Sequence, residues 1–392
     1  MTMPMNSSAP FVTSLYVHVP FCAHKCEYCA FFSEASNGVQ IERYVQAVQN
    51  ELRLIAADLR PDTIFFGGGT PSILSLKQWE EILATMRELK LGPAAEWTVE
   101  CNPATVSSDK AKLLRDGGVN RISMGVQSLD EALLDRLGRV HSRDMVFRSF
   151  DILRKAGFEN INVDLMFAIP GQTMAIWRET LAEATALGSE HLSCYEVIYE
   201  EDTPLFQQMK AGEFAVDEDL ACDMYDTLID HATGAGYRQY EIANFARPGT
   251  AVADADPQFA CRHNLNYWRA GDYHGLGPSA AGYVRGRRTK NWSNTQLYCE
   301  QLEHGRRAIE TTDDLAPLAR AGETAAFGLR MNRGWKFAEF AASTGFDLRT
   351  EWRPELDRLN ALGWGEEFAD GFRLTRAGLR FADSAAEMFL RS

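Results

Sequence analysis

Apolar positions along this chain follow two alternating rhythms. Short β-rich runs give way repeatedly to longer stretches with apolar residues at three- and four-residue steps. Leu15, Val17 and Val19 alternate with Tyr16 and His18 and predict a first strand, ended by Pro20. Ile41, Tyr44, Val45, Val48, Leu52, Ile55 and Leu59 form one helical stripe, which Pro61 is expected to stop. Residues 63–66 predict a second strand, running into Gly67-Gly68-Gly69-Thr70-Pro71. A helix over 76–89 and a third strand over 97–99, ending at Glu100, follow. A helix capped near Ser107 and ended by Gly117-Gly118 precedes a fourth strand at 121–126, which leads to Gln127. Helices over 131–137 and 145–156 separate it from a fifth strand at 160–167, which holds Asp164. A helix at 176–187, a sixth strand at 191–198 with Tyr195 and Glu196, and a helix at 220–234 complete the series.

Six strand–helix units in succession predict an α/β fold with a parallel sheet and right-handed crossovers. Six units rather than eight suggest a partial (β/α)6 TIM-like barrel. Chemistry in such barrels sits at the carboxyl ends of the strands, and there the polar and glycine residues fall. Beyond Trp292 the pattern becomes mainly helical: 296–308, 319–329, a helix starting at 335, 354–362 and 375–391. A strand pair at 364–368 and 372–374 makes this region winged-helix-like. Its helices mix Glu, Asp and Arg without a basic face, which favours a packing or partner role over nucleic-acid binding. The expected division is a tail at 1–13, a barrel at 14–250, an extension at 251–295 and a C-terminal domain at 296–392. A polar loop is expected at 254–259.

Composition narrows the classes. The chain has 392 residues, 45% of them hydrophobic, and a net charge of −14. That charge argues against a broad grip on nucleic acid. The one basic patch of note is Arg285, Arg287, Arg288 and Lys290. No apolar run reaches about 18 residues, so no spanning helix is expected; peripheral membrane contact and a homodimer stay compatible with the sequence. Residues 1–11 lack the basic and apolar regions of a secretory signal. Eight cysteines without a disulfide framework fit a reducing cytoplasm.

The candidate chemistry starts at Cys22, Cys26 and Cys29, spaced C-x3-C-x2-C after the first strand. Three thiolates on one loop can converge on a [4Fe–4S] cluster and leave one iron open. Zinc, with His24 as a fourth ligand, and three unrelated thiols stand as alternatives. With Tyr28 before the third cysteine, the loop resembles the signature of the radical S-adenosylmethionine superfamily. The resemblance extends from Leu15 to about Gly282, to the oxygen-independent coproporphyrinogen III oxidase-like group. It rests on Tyr16-Val-His-Val-Pro-Phe-Cys22, Phe66-Gly-Gly-Gly-Thr-Pro-Ser72, Glu100-Cys-Asn-Pro103, Gly125-Val-Gln-Ser128, Leu137-Gly-Arg139 and Ile169-Pro-Gly-Gln-Thr173.

That resemblance implies a [4Fe–4S] cluster on Cys22, Cys26 and Cys29. It also implies S-adenosylmethionine at Tyr16, Tyr28, Gly68, Gly69, Thr70, Glu100, Gln127, Arg139 and Asp164. The glycine run and the Thr70 hydroxyl suit an amino-acid head group. Glu100 suits its amino group, and Arg139 its carboxylate in a forked pair. Gln127 and Asp164 suit the ribose or the methionine.

Two features separate this chain from the oxidase of that group. Phe31 stands where the oxidase has a fourth cysteine, and only 21 residues precede Cys22. Cys261-Arg-His263-Asn264-Leu-Asn-Tyr267-Trp268 instead fits the H-N-x-x-Y-W motif of the heme-chaperone branch, with Gly275-Leu-Gly-Pro-Ser-Ala-Ala-Gly282 following as it does there. The resemblance thus implies heme as ligand, with His263 as the candidate axial residue, and acceptor hemoproteins as partners. Oxidative decarboxylation of coproporphyrinogen III is the alternative; no catalytic residue is assigned, and that activity is expected to be missing. Ala30 and Ala168 depart from the branch, which often has Asp and usually has Gly at those positions.

Overall fold

The computed structural model describes residues 11–35, 38–252 and 255–391. Most of the expected tail at 1–13, position 254 of the expected polar loop and Ser392 lie outside them. The six expected strands are present as β1 (Val12–Val19), β2 (Leu59–Gly68), β3 (Glu96–Cys101), β4 (Arg121–Gln127), β5 (Ile161–Phe167) and β6 (His191–Glu196). They pair in parallel in chain order. Three further strands extend the sheet: β7 (Arg238–Gln239), β8 (Asn244–Ala246) and β9 (His274–Leu276). The order is β9-β1-β2-β3-β4-β5-β6-β8-β7. The outermost strands β9 and β7 are not paired with each other, so the barrel stays open.

Register gives the two faces of this sheet opposite chemistry. Outward, Leu15, Val17, Ile64, Phe66, Trp97, Val99, Ile122, Met124, Val163 and Leu192 are buried against the helices in one apolar core. Inward, the side chains at alternate positions are mainly polar. Ser14, Thr63, Glu96, Arg121, Asn162 and His191, in the strands' amino-terminal half, make a floor that steps along the sheet, since Arg121 pairs with Thr98 and Asn162 with Ser123. Tyr16, Phe65, Thr98, Ser123 and the Asp164 level lie above it, and His18, Gly67 and Glu100 approach the rim. Helices return to the sheet from side-chain N-caps at Ser75, Ser107, Asp130, Ser142, Thr173 and Asp217.

Several boundaries differ from the sequence pattern. The first helix is Gly38–Ile55, and Leu59 belongs to β2 rather than to the helical stripe. Pro61 lies inside β2, where the pairing shifts register between Val12–Leu59 and Ser14–Thr63. Pairing with β3 begins only at Thr63. A proline's missing N–H is tolerated at such an irregularity. The helix expected over 296–308 is Thr295–Glu303, and Ile309–Asp313 forms a strand beside Arg287–Asn291. The terminal helix is two short pieces, Arg376–Leu379 and Ala382–Glu387. The expected strand pair is present as Gly365–Phe368 and Gly371–Leu374, joined by Trp335–Lys336. A separate apolar core built on Trp335, Phe340, Trp352 and Phe389 supports this C-terminal unit. Tyr298, Cys299 and Leu302 pack instead into the core of the barrel. Among the described residues no helix is long and apolar enough to cross a membrane.

Candidate functional site

The loop after β1 carries Cys22, Cys26 and Cys29, all partly exposed and all free. Pro20 ends the strand, and the Glu34 N–H donates to its carbonyl at 2.6 Å, closing the loop back on the barrel. His18 holds the same loop from inside. Its Nε2 donates to the Phe32 carbonyl at 2.8 Å, so Nδ1 accepts from the Tyr16 hydroxyl at 2.9 Å. The Thr70 hydroxyl donates to Cys22 Sγ at 3.5 Å, and Arg139 Nη1 to Cys26 Sγ at 3.4 Å. Burial pushes the Cys22 and Cys29 thiols up, and their mutual proximity with Cys26 adds to it.

No group of three His, Cys, Asp or Glu among the described residues is gathered tightly enough for a metal ion. A single zinc would draw its thiolates to roughly 4 Å of one another, from Zn–S bonds of about 2.3 Å. A four-iron cube is wider, and its cysteines stand correspondingly further apart. The donor set of one loop, three free thiols and neighbouring N–H and O–H donors to sulfur fits such a cluster in chemistry.

The glycine run after β2 differs in detail from expectation. Its N–H groups are already used: Gly68 donates to Glu100 Oε2 at 3.1 Å, Gly69 to the Val19 carbonyl at 2.8 Å and Thr70 to the Phe21 carbonyl at 2.8 Å. Gly68 has φ +102°, and a Cβ at Gly69 would meet the Val19 and Phe21 carbonyls at 2.7 and 2.8 Å. These glycines therefore dock the loop against the cysteine segment. What they leave for a ligand is the second oxygen of Glu100, not a row of N–H groups.

Glu100 and Asp164 line the lumen. Burial pushes Glu100 up to about 8, and Asp164 adds to it, while Gly68 and Arg121 oppose. Burial also raises Asp164, against donors from Asn162 Nδ2 at 2.7 Å and Ser123 Oγ at 3.1 Å. Two carboxylates held this way suit a cation between them. Arg139 sits across the rim, with Nη2 on the Gly125 carbonyl at 2.6 Å and Nε buried without a partner. An orphaned guanidinium donor fits a carboxylate ligand. Gln127, at φ +66°, stands at the bulge after Gly125, where a Cβ would touch Gln127 Nε2 at 3.1 Å and Arg139 Nη2 at 3.3 Å. Tyr28 packs on the apolar group of Leu133, Leu137 and Met166, beside the cysteines. The fold thus gathers Tyr16, Tyr28, Glu100, Gln127, Arg139 and Asp164 around one lumen below the cysteine loop.

His263 lies elsewhere. It heads the helix Arg262–Trp268, which seals the barrel floor. The Glu96 carboxylate accepts the N–H groups of Arg262 and His263, both at 3.0 Å, at the positive end of this helix. His263 is 1% exposed and stacks on Phe65 at 5.3 Å. Thr63 Oγ1, which donates to Ser14 Oγ at 2.8 Å, lies 2.9 Å from His263 Nδ1. Nδ1 is then the donor, and Nε2 accepts from the Tyr267 hydroxyl at 2.7 Å. Burial, with Arg121 nearby, lowers His263 to about 3, so the ring is neutral. A neutral imidazole with a lone pair on Nε2 is a competent metal ligand, but Tyr267 covers that lone pair.

The sequence pattern did not single out the floor: Glu96, Arg121, Asn162, His191 and Tyr240. His191 bridges Asn162 Oδ1 at 2.6 Å and the Tyr240 hydroxyl at 2.8 Å. The signal was available as polar residues at every second position of strands that are otherwise apolar.

Comparisons with known proteins bear on the family and the fold. The Radical SAM superfamily profile matches residues 16–184, and the HemN C-terminal domain profile matches 315–381. The chain is 36% identical over 382 residues to the heme chaperone HemW of Escherichia coli, covering 96% of this chain and 98% of the relative. It is 36% identical over 323 residues to the heme chaperone HemW of Lactococcus lactis, covering 82% of each. Among solved structures, the coproporphyrinogen III oxidase HemN of Escherichia coli, a radical SAM enzyme, superposes with a TM-score of 0.83 at 22% identity, over 97% of this chain and 90% of that one. At that identity the likeness concerns the fold. With the cysteine loop, the rim and both profiles in place, the chain belongs to the radical SAM superfamily and, within it, to the heme chaperone HemW family.

Proposed function

We propose that this chain binds heme and delivers it to acceptor hemoproteins in the cytoplasm, as a radical SAM protein that has not kept the oxidase activity. The observation that carries the reading is its similarity, over nearly the whole length, to relatives named heme chaperone HemW. The [4Fe–4S] cluster is assigned to Cys22, Cys26 and Cys29. S-Adenosylmethionine is assigned to the lumen and rim formed by Tyr16, Tyr28, Gly68, Gly69, Thr70, Glu100, Gln127, Arg139 and Asp164. A [4Fe–4S] cluster held by Cys22, Cys26 and Cys29 would supply one-electron chemistry to a cofactor bound in the adjoining lumen.

The chain's own residues supply position. Thr70 and Arg139 hold the sulfurs, and His18 ties down the loop that carries them. Glu100 and Asp164 receive a positive group, while Arg139 Nε receives a carboxylate. Heme is assigned to His263 through Nε2, which requires the Tyr267 hydroxyl to turn away first. A division into barrel, extension and C-terminal domain, and a homodimer, belong to the same reading. Phe31, 69% exposed, takes the place of a further thiol beside the cluster.

The test is anaerobic. The cluster is reconstituted, then heme is titrated, and separately coproporphyrinogen III with S-adenosylmethionine and a reductant. One heme per chain, transfer to an apo-hemoprotein, at least about tenfold weaker binding in His263→Ala and undiminished binding in Tyr267→Phe are expected. Protoporphyrinogen formation without heme binding would overturn the proposal.

A further inference from the structure

Five aromatic side chains, Tyr267, Trp268, Tyr273, Tyr283 and Phe327, belong to none of the apolar clusters of the protein. They line one cleft of about 220 Å³. It opens between the barrel side, from the helix Arg262–Trp268 and the hairpin Ala281–Val284/Arg287–Asn291, and the first helix of the C-terminal unit, Pro317–Gly328. Phe327 is 41% exposed although its neighbours on that helix are packed. Trp268 faces Phe327 at 6.3 Å, and its indole N–H is buried without an acceptor. Tyr267 is the wall between this cleft and His263, since the two rings lie 4.7 Å apart.

The charges of the cleft are unequal. Arg288 is held by Glu323 at 2.6 Å. Arg320 also lines the cleft, and its guanidinium makes no hydrogen bond or ion pair among the described residues. It lies under Gly286, where a Cβ would meet Arg320 Nη1. In a chain of net charge −14, an unpaired cation beside four half-buried aromatic side chains and the exposed Phe327 marks a site for a flat, apolar ligand that ends in carboxylates.

We propose that this cleft receives the heme: the macrocycle lies against Trp268, Tyr283 and Phe327, and a propionate pairs with Arg320. The inference rests on the heme-binding reading and adds where the ring lies and which residue holds its acid edge. The cleft is smaller than the roughly 300–1,000 Å³ of ordinary ligand sites. Heme therefore needs the two units to part or Tyr267 to swing outward, and the second movement also frees His263 Nε2.

The experiment compares two ligands on the full-length protein by absorbance titration: iron protoporphyrin and its dimethyl ester, whose propionates carry no charge. Wild type, Arg320→Ala and Phe327→Ala are used, each checked for an unchanged unfolding temperature. Wild type is expected to bind the ester about five- to tenfold more weakly than the free acid. Arg320→Ala is expected to bind both alike, at the weaker level. Phe327→Ala is expected to weaken both ligands and keep the difference between them. If Arg320→Ala still discriminates as wild type does, the cleft assignment is wrong and the heme reading stands. If wild type takes up neither ligand, the heme reading fails and this inference with it.

Discussion

Glu100 sits where water reaches it only through the lumen, with a second carboxylate, Asp164, facing it. Its carboxyl therefore holds its proton far above the usual range, up to about 8. The sign follows from linkage. A carboxyl with a folded pKa above its unfolded value of about 4.3 contributes stability that is fully present below that value. The contribution is lost as the pH rises through about 8. Wild type is expected to lose about 1–3 kcal/mol of unfolding free energy between pH 6 and pH 9 from this group. Glu100→Gln, which stays neutral, is expected to flatten that slope in matched denaturant titrations. An equal slope in both proteins would remove Glu100 as the source. A bound cation would reverse the preference, since it favours the ionised carboxylate.

At the scale of elements, the site is made where strands stop. β2 ends in glycines that fold back on the cysteine segment, β4 ends in the bulge at Gln127, and β5 ends at Ala168. Ala168 has φ +56°, a left-handed conformation that an alanine side chain disfavours by about 1–2 kcal/mol. A glycine adopts this conformation without that cost. Ala168→Gly is expected to stabilise the protein by about 0.5–1 kcal/mol, part of the strain relief being offset by the greater freedom of glycine in the unfolded chain. Thermal and denaturant unfolding measure it, and a destabilised variant would show that the Ala168 methyl packs usefully. The six central strands and their helices were legible because each carries a long apolar period. β7, β8 and β9 were not, because two or three residues carry no period and only pairing defines them, β9 with β1, β8 with β6 and β7 with β8. The helix Arg262–Trp268 was hidden in the same way: its N-terminus is capped by Glu96, a residue far away in sequence.

Across the whole molecule, several ion pairs join the C-terminal unit to the barrel side, beside hydrogen bonds such as Asn332 N–H to the Tyr240 carbonyl and ring contacts such as Trp268 with Phe327. Arg376 meets Asp230 at 2.7 Å, Arg380 meets Asp226, Arg269 meets Glu339 at 3.1 Å and Arg288 meets Glu323 at 2.6 Å. A short backbone contact between Glu241 and Met331, with Ile242 against the second core, adds to these. Exposed ion pairs weaken with salt, as the screening length falls from about 10 Å at 0.1 M to about 3 Å at 1 M. Raising salt over that range is expected to increase hydrogen exchange at the junction, in 304–316 and 328–334, while β1 to β6 stay protected. Unchanged exchange there would mean that apolar packing, not charge, fixes the unit and the width of the aromatic cleft.

The sequence by itself determined the parallel α/β barrel, its open form, the cysteine loop and the set of polar residues at the strand ends. Periodicity and turn residues are local properties, and a parallel sheet turns strand ends into one rim. Tertiary structure alone decided how those residues are used. The glycine N–H groups are spent on the loop beneath them, Tyr267 covers His263, and the polar floor closes through residues as distant as Glu96 and Cys261. Burial, hydrogen-bond satisfaction and raised or lowered pKa values depend on which groups share a small volume. No spacing along the chain records that volume.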